Sequence, residues 1–226
     1  MKKQVVIFII IAALALATTI YINASDSSVT NKSDQPNKTI SLLLTSSTTR
    51  TFAAKEIDDN TLDIIIKTGI QAPSARNSQP WHFSVVKNKE ILEKINNDTL
   101  AEGQKEAQKN PDRPQPPKDY HALFHAPVAI VISATTDSPS STFDAALACE
   151  NMSIAAQALG LGTHIATSVT KALTGTNEEE YKTILGIPDD KQAVAVLLIG
   201  LPDSAAASDA VSKATTRNPE VVTYLK

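Results

Sequence analysis

Beyond residue 40 the apolar positions of this chain fall by turns at helical and at strand spacing. Residues 40–44 form a short apolar stretch that predicts a brief helix. Leu62, Ile65, Ile66 and Ile70 recur three and four apart, which predicts an amphipathic helix over about 60–69, with Asn60 or Asp58 as N-cap and Asp63 in its first turn. Residues 83–86 and 129–134 are apolar runs of strand length. Residues 89–109 read as a helix that grows more polar along its length. The proline-rich NPDRPQPPK at 110–118 ends it, because proline lacks the N–H a helix interior needs.

Residues 143–159 place Ala145, Cys149, Met152, Ala156 and Leu159 on one helical stripe, yet the other faces are mostly small and apolar as well. A helix of that kind belongs in a core or at an interface, and its alanines let a neighbour approach closely. Gly160-Leu161-Gly162-Thr163 stops it and starts a strand over 164–169. Thr176-Asn177-Glu178-Glu179-Glu180 is a helix start with acids at the positive dipole end, Gly186-Ile187-Pro188 stops that helix, and 193–200 is a central strand. Helices and strands in this order predict an α+β domain.

The first 24 residues follow a different rule. Lys2 and Lys3 precede an uncharged run over 5–22, which as a helix measures about 27 Å against roughly 30 Å of bilayer hydrocarbon. It is long enough to span, and Ile22-Asn23-Ala24 also ends in a residue small enough for signal-peptide cleavage. Residues 1–24 are therefore an N-terminal membrane anchor or a signal peptide, with the domain expected on the extracytoplasmic side. Residues 25–38 are polar and form a linker, and 39–226 form the domain.

Composition narrows the function. With 226 residues, 42% hydrophobic, the chain can bury one substantial core. A net charge of -3 and a pI near 5.8 give no electrostatic case for nucleic acid. Cys149 is the single cysteine, so no intrachain disulfide forms, and its place in the apolar stripe marks a small buried residue. His121 and His125 stand four apart as metal ligands do, but no acidic or cysteine partner sits at a matching spacing, and no metal is expected. Neither a Gly-x-Ser-x-Gly elbow, a phosphate-binding P-loop nor a Gly-x-Gly-x-x-Gly motif occurs.

The chemistry concentrates in QAPSARNSQPWHF, from Gln71 to Phe83, which joins a helix to a strand. A plain connection needs turn formers alone, and Pro73, Ser74, Asn77 and Pro80 supply them. This one adds the short hydrogen-bonding side chains of Ser74, Asn77, Ser78 and Gln79, then Trp81, a combination suited to a planar ligand with polar edges.

The run Pro73-Ser74-Ala75-Arg76-Asn77-Ser78-Gln79-Pro80-Trp81-His82-Phe83 resembles the signature of the nitroreductase family of flavin enzymes, commonly A-P-S-x-x-N-x-Q-P-W-x-F. The resemblance extends from about Ile40 to the C-terminus. Thr48, Arg50 and Phe52 fit a segment that the family writes R-R-S-x-R-x-F, with Ser46 in place of the first arginine. ALGLGT and LGIPDD also match, and near the end Arg217 fits a K-x-R pair whose lysine position holds Thr215, with Lys213 two residues earlier.

The resemblance implies a nitroreductase-like mixed β-sheet flanked by helices, in an intertwined homodimer with a C-terminal extension. It implies FMN as cofactor, NADH or NADPH as electron donor, and a small organic acceptor such as a nitroaromatic or quinone. It places Ser46, Ser47, Thr48, Arg50, Lys213 and Arg217 around the FMN phosphate. Pro73, Ser74 and Ala75 would line the isoalloxazine, Asn77 would bond its polar edge, and backbone N–H groups at Thr167 and Ser168 would face N5 and O4. Residues near 110–118 would shape the acceptor side. The chemistry belongs to the flavin, so no catalytic side chain is expected. Trp81 and His82 read as structural, an aromatic packed under the loop and a histidine at a strand start; His164 is a core histidine or faces the flavin. Two other readings stay open: a reductive dehalogenase-like or flavin-fragmenting enzyme, and a membrane-tethered binding protein that has lost its flavin.

Overall fold

A computed structural model of the chain describes residues 37–110, 117, 119–203, 217–218 and 221–225. The chain divides into Met1–Lys38 and Thr39–Lys226. The anchor or signal peptide expected at 1–24 and nearly all of the 25–38 linker lie outside the described residues, as do most of the 110–118 break and Lys213. Among the described residues no helix is long and apolar enough to cross a membrane.

Helices form where the sequence supplies caps. Helix α1 is Lys38–Thr45. In α2, Asp59–Ile70, the carboxylate of Asp58 accepts the Thr61 N–H at 2.9 Å, so Asp58 and not Asn60 is the cap. The N-cap Asn88 accepts from the Glu90 and Ile91 amides to start α3, Lys89–Lys109. Ser138 caps α4, Pro139–Ala158, with proline in its first turn. A single turn, α5, Thr170–Leu173, follows the third strand and was not legible as a helix. Helix α6, Glu178–Leu185, ends on Gly186 at φ 64°, the left-handed cap that favours glycine.

Among the described residues four strands, β1 Trp81–Val86, β2 Val128–Thr135, β3 Gly162–Ala166 and β4 Lys191–Gly200, form one sheet in the order β1-β2-β4-β3. The α+β architecture with a helix-flanked sheet is as expected. The parallel component of the mixed sheet shrinks, among the described residues, to one bridge between Thr48 and Thr163; every pairing of named strands is antiparallel. Strand β1 begins two residues earlier than its apolar run because Trp81 pairs with Ala134, and β3 runs two residues earlier at its start and three at its end.

Both sheet faces are covered, which is why β2 and β4 read as unbroken apolar runs. On one face Leu62 and Ile65 of α2 and Ala145, Cys149, Met152 and Ala156 of α4 pack on Ile130, Ile132, Leu197 and Ile199. On the other, Leu92 and Ile95 of α3, Leu173 of α5 and Tyr181 and Leu185 of α6 pack on Val131, Val196 and Leu198. A register shift between Ile132 and Ser133 puts Ala193 and Ala195 on opposite faces despite their even spacing. The predicted stripe of α4 is buried except at Leu159, which caps the helix and is exposed.

Two glycines hold close approaches. A methyl at Gly69 would meet the Met152 side chain at 2.7 Å, where α2 crosses α4, and one at Gly162 would overlap the Thr49 side chain. Thr49 has no room to step back, since its N–H donates to the Thr163 carbonyl at 2.8 Å. Gly162→Ala is therefore expected to lower the unfolding free energy by about 1–3 kcal/mol through overpacking. Gly103→Ala, inside α3 with nothing within 4 Å of the added methyl, is expected to raise it by roughly 0.5–1 kcal/mol. Urea titration of the two variants checks both signs.

Candidate functional site

The extended segment 46–52 lies along the free edge of β3, fastened by the Thr48–Thr163 bridge and the Thr49 N–H. Beneath it three polar side chains lock together. Ser153 and Thr163 share a hydroxyl hydrogen bond of 3.0 Å, and the Gln157 amide donates to both, at 3.3 and 3.1 Å. The Gln157 carbonyl oxygen accepts the Ser47 N–H at 3.4 Å. This floor and the segment above it enclose a hollow of about 240 Å³, bordered by Ser46, Ser47, Thr48, Glu150, Ile165 and Arg217.

Four residues named from the sequence, Ser46, Ser47, Thr48 and Arg217, therefore meet around one hollow. Its donors suit an oxyanion: one guanidinium and two hydroxyls, on Ser47 and Thr48, that bond to nothing else among the described residues. Ser46 contributes less, because its hydroxyl donates to the Leu43 carbonyl at 3.2 Å. Glu150 adds a carboxylate at the same rim.

Arg50 is exposed and stands outside this lining; its charge falls on His164. His164 faces away from the hollow, its ring 4.7 Å from that of Phe124 and its Nδ1 3.3 Å from the Thr49 carbonyl. His164 is half-buried beside the core. Thr167 and Ser168 are exposed on the turn from β3 into α5, at the same sheet edge as the hollow.

The 71–83 connection is elsewhere, at the start of β1 on the opposite edge of the sheet, three strand spacings or about 14 Å away. Arg76, Asn77 and Gln79 have φ of 54°, 56° and 46°, a left-handed run without glycine. Such residues cost on the order of 1 kcal/mol each and persist only when their surroundings fix them. Here the buried carboxylate of Asp144 accepts the Ala75 N–H at 3.1 Å, and Ser74 Oγ accepts the Gln79 N–H at 3.0 Å. Pro73, Ala75, Arg76, Asn77, Ser78 and Gln79 are consequently held outward, exposed. Trp81 stacks on Phe83 at 6.2 Å and packs against the core, as expected of a structural aromatic.

The chain therefore carries two polar clusters that it does not bring together. Asp144, which holds the loop, and Ser153, in the floor of the hollow, are nine residues apart on α4, about 14 Å. Among the described residues no three or more histidine, cysteine, aspartate or glutamate side chains gather as metal ligands. The Cys149 thiol is pushed up to about 12 by burial and is inert.

The fold is of the α+β sandwich class, with a hollow bordered by hydroxyls and a guanidinium at one sheet edge and a strained polar loop at the other. The sequence profile of the Nitroreductase family matches residues 45–201, and the chain belongs to that family. A relative in Archaeoglobus fulgidus, assigned as an NADH dehydrogenase/NAD(P)H nitroreductase, is 28% identical over 170 residues, 72% of this chain and 84% of the relative. Another so assigned, in Methanothermobacter thermautotrophicus, is 29% identical over 158 residues, 68% of this chain and 71% of its own. The crystal structure of a Bacteroides fragilis nitroreductase with bound FMN superposes with a TM-score of 0.74 at 24% identity, over 84% of this chain and 100% of that one.

Burial lowers the pKa of His82, His121 and His164, helped at His82 by Lys191 and at His164 by Arg50, and opposed at His121 by Glu93. The folded chain thus takes up these protons later than the unfolded chain does. The resulting stability is complete above the ordinary histidine value of about 6.5 and is lost as pH falls through the lower folded values. The melting temperature should drop between pH 7.5 and pH 5.5, and His164→Phe, which keeps a ring against Phe124, should show a smaller drop.

Proposed function

We propose that this chain is an FMN-dependent oxidoreductase that takes electrons from NADH or NADPH and delivers them to a small organic acceptor. The observation that carries the reading is the convergence of Ser47, Thr48 and Arg217 on one oxyanion hollow in a chain of the nitroreductase family. The names of the archaeal relatives and the FMN of the Bacteroides fragilis structure support it.

Bound FMN supplies reversible hydride acceptance at a ring nitrogen and passes the electron pair on to an acceptor. The protein's part is to bind, orient and shield. Arg217 would balance the charge of its phosphate, and the Ser47 and Thr48 hydroxyls would donate to the phosphate oxygens. Gln157 fixes the Ser47 amide and keeps the floor of the hollow from collapsing. Along the same edge Arg50 and the turn at Thr167 and Ser168 offer positive charge and N–H groups to a ring system. Asn77 presents an amide to a polar ring edge, held out by the strained turn.

Because that turn is on the far edge of the sheet, a second copy of the chain supplies it, and the functional unit is a homodimer. Apolar side chains left exposed on one protomer, among them Leu44, Phe143, Ile165, Tyr224 and Leu225, provide surface for that contact. The N-terminal segment would hold this unit at the membrane with its domain on the extracytoplasmic side.

The purified chain should be yellow, or become so with FMN, and its visible band should bleach under anaerobic NADH or NADPH. A chain that stays colourless in saturating FMN would instead be a binding protein of this fold, a reading to which Ser46 and Glu150 at the rim contribute. Arg217→Ala should weaken FMN binding by about 1.5 kcal/mol, roughly ten-fold, and by more than Lys213→Ala does. Glu150→Gln should tighten it. Flavin fluorescence titration reads both, and equal, negligible effects of all three would overturn the phosphate assignment.

A further inference from the structure

A second and larger cavity, about 490 Å³, shares no lining residue with the hollow. It lies among the 54–57 segment, the first turns of α3 and the 121–128 turn that leads into β2. Its floor is aliphatic: Ile57, Leu92, Leu123 and Val128, all buried. Its rim carries Lys55, Lys87 and Lys89 against Glu56 and Glu93, with His125 beside them.

These charges are not equally available. Lys87 Nζ is bound to Asp59 Oδ1 at 2.7 Å, and Glu93 Oε1 stands 3.3 Å from His121 Nε2. The side-chain ammonium groups of Lys55 and Lys89 make no hydrogen bond or ion pair among the described residues, and both lysines border the cavity. The wall opposite is held in place at some cost. Phe124 and His125 have φ of 50° and 57°, and this strained turn is fastened by His121 Nδ1, which accepts the Leu123 and His125 N–H groups at 3.2 and 3.3 Å.

We propose that this cavity binds an aliphatic monocarboxylate of medium chain length. Its hydrocarbon lies on Ala54, Ile57, Leu92 and Pro127, backed by the buried Leu123 and Val128, and its carboxylate sits between Lys55 and Lys89. Aliphatic follows from the lining, whose sole aromatic rings are the two imidazoles. A single negative charge follows from the rim, where Glu56 and Glu93 repel a dianion. The proposal is independent of the flavin reading, because the two sites have no residue in common.

Calorimetric titration of the full-length protein with octanoate tests it, with octanol and octyl phosphate as comparison ligands. Octanoate should bind saturably at one site per chain, and both comparison ligands should bind at least about ten-fold more weakly. The Lys55→Ala/Lys89→Ala double variant, altered at two exposed positions, should lose affinity by a similar factor, while Arg217→Ala should leave it unchanged. No saturable binding, equal binding of octanol, or an unaffected double variant would overturn the proposal. Loss of binding in Arg217→Ala would assign the octanoate to the hollow and overturn it as well.

Discussion

The hydrogen bond from the Thr49 N–H to the Thr163 carbonyl, with the single parallel bridge beside it, is what the hollow depends on. Residues 46–52 have no helix or hairpin of their own to hold them. They become a wall because β3 is an edge strand whose outward groups need partners, and because Gly162 lets Thr49 lie flat against it. Once that segment is fixed, Ser47 and Thr48 are set over the Ser153–Thr163–Gln157 floor, and Arg217 closes the rim. The same segment reaches Phe52, buried against Gly200 and Pro127, so the wall of the hollow is also part of the core.

The other cluster rests on a different physical device. A loop of exposed polar residues would ordinarily sample many conformations, and ordering it on a ligand would consume binding energy. Here the ordering is done in advance by Asp144, a buried carboxylate on α4, and by the Ser74 hydroxyl, which together hold three non-glycine residues in the left-handed region. Helix α4 thus serves both clusters, Asp144 near its start and Ser153 and Gln157 near its end. That dual duty accounts for polar residues in an otherwise alanine-rich buried helix.

Much of this was legible in the residues. Periodicity, caps and glycine stops located the long helices and the central strands, and the resemblance carried by residues 73–83 pointed to the loop, the Ser46–Thr48 segment and Arg217. What escaped was whatever depends on a partner far away in sequence. Strand β1 starts at Trp81 because of its pairing with Ala134, and β3 stops at Ala166 because it pairs with β4 only as far as Val196. Asp144, Ser153 and Gln157 carry no motif of their own. The four-residue spacing of Ser153 and Gln157 on an apolar helix was the one local sign that a polar floor lay there. Glu150, an ordinary exposed acid by sequence, acquires meaning only from the hollow it borders.

In the proposed homodimer each site takes its hollow from one copy of the chain and its loop from the other. Subunit mixing tests this most directly. Arg217→Ala damages the hollow and Asn77→Ala the loop, and each homodimer carries the same defect at both sites. If a site is shared, heterodimers concentrate both defects in one site and leave the other intact, so random mixing should restore full-strength flavin binding at roughly a quarter of the sites. A mixture that binds flavin no better than the average of its two parents would mean that hollow and loop act within one copy, and would contradict the account.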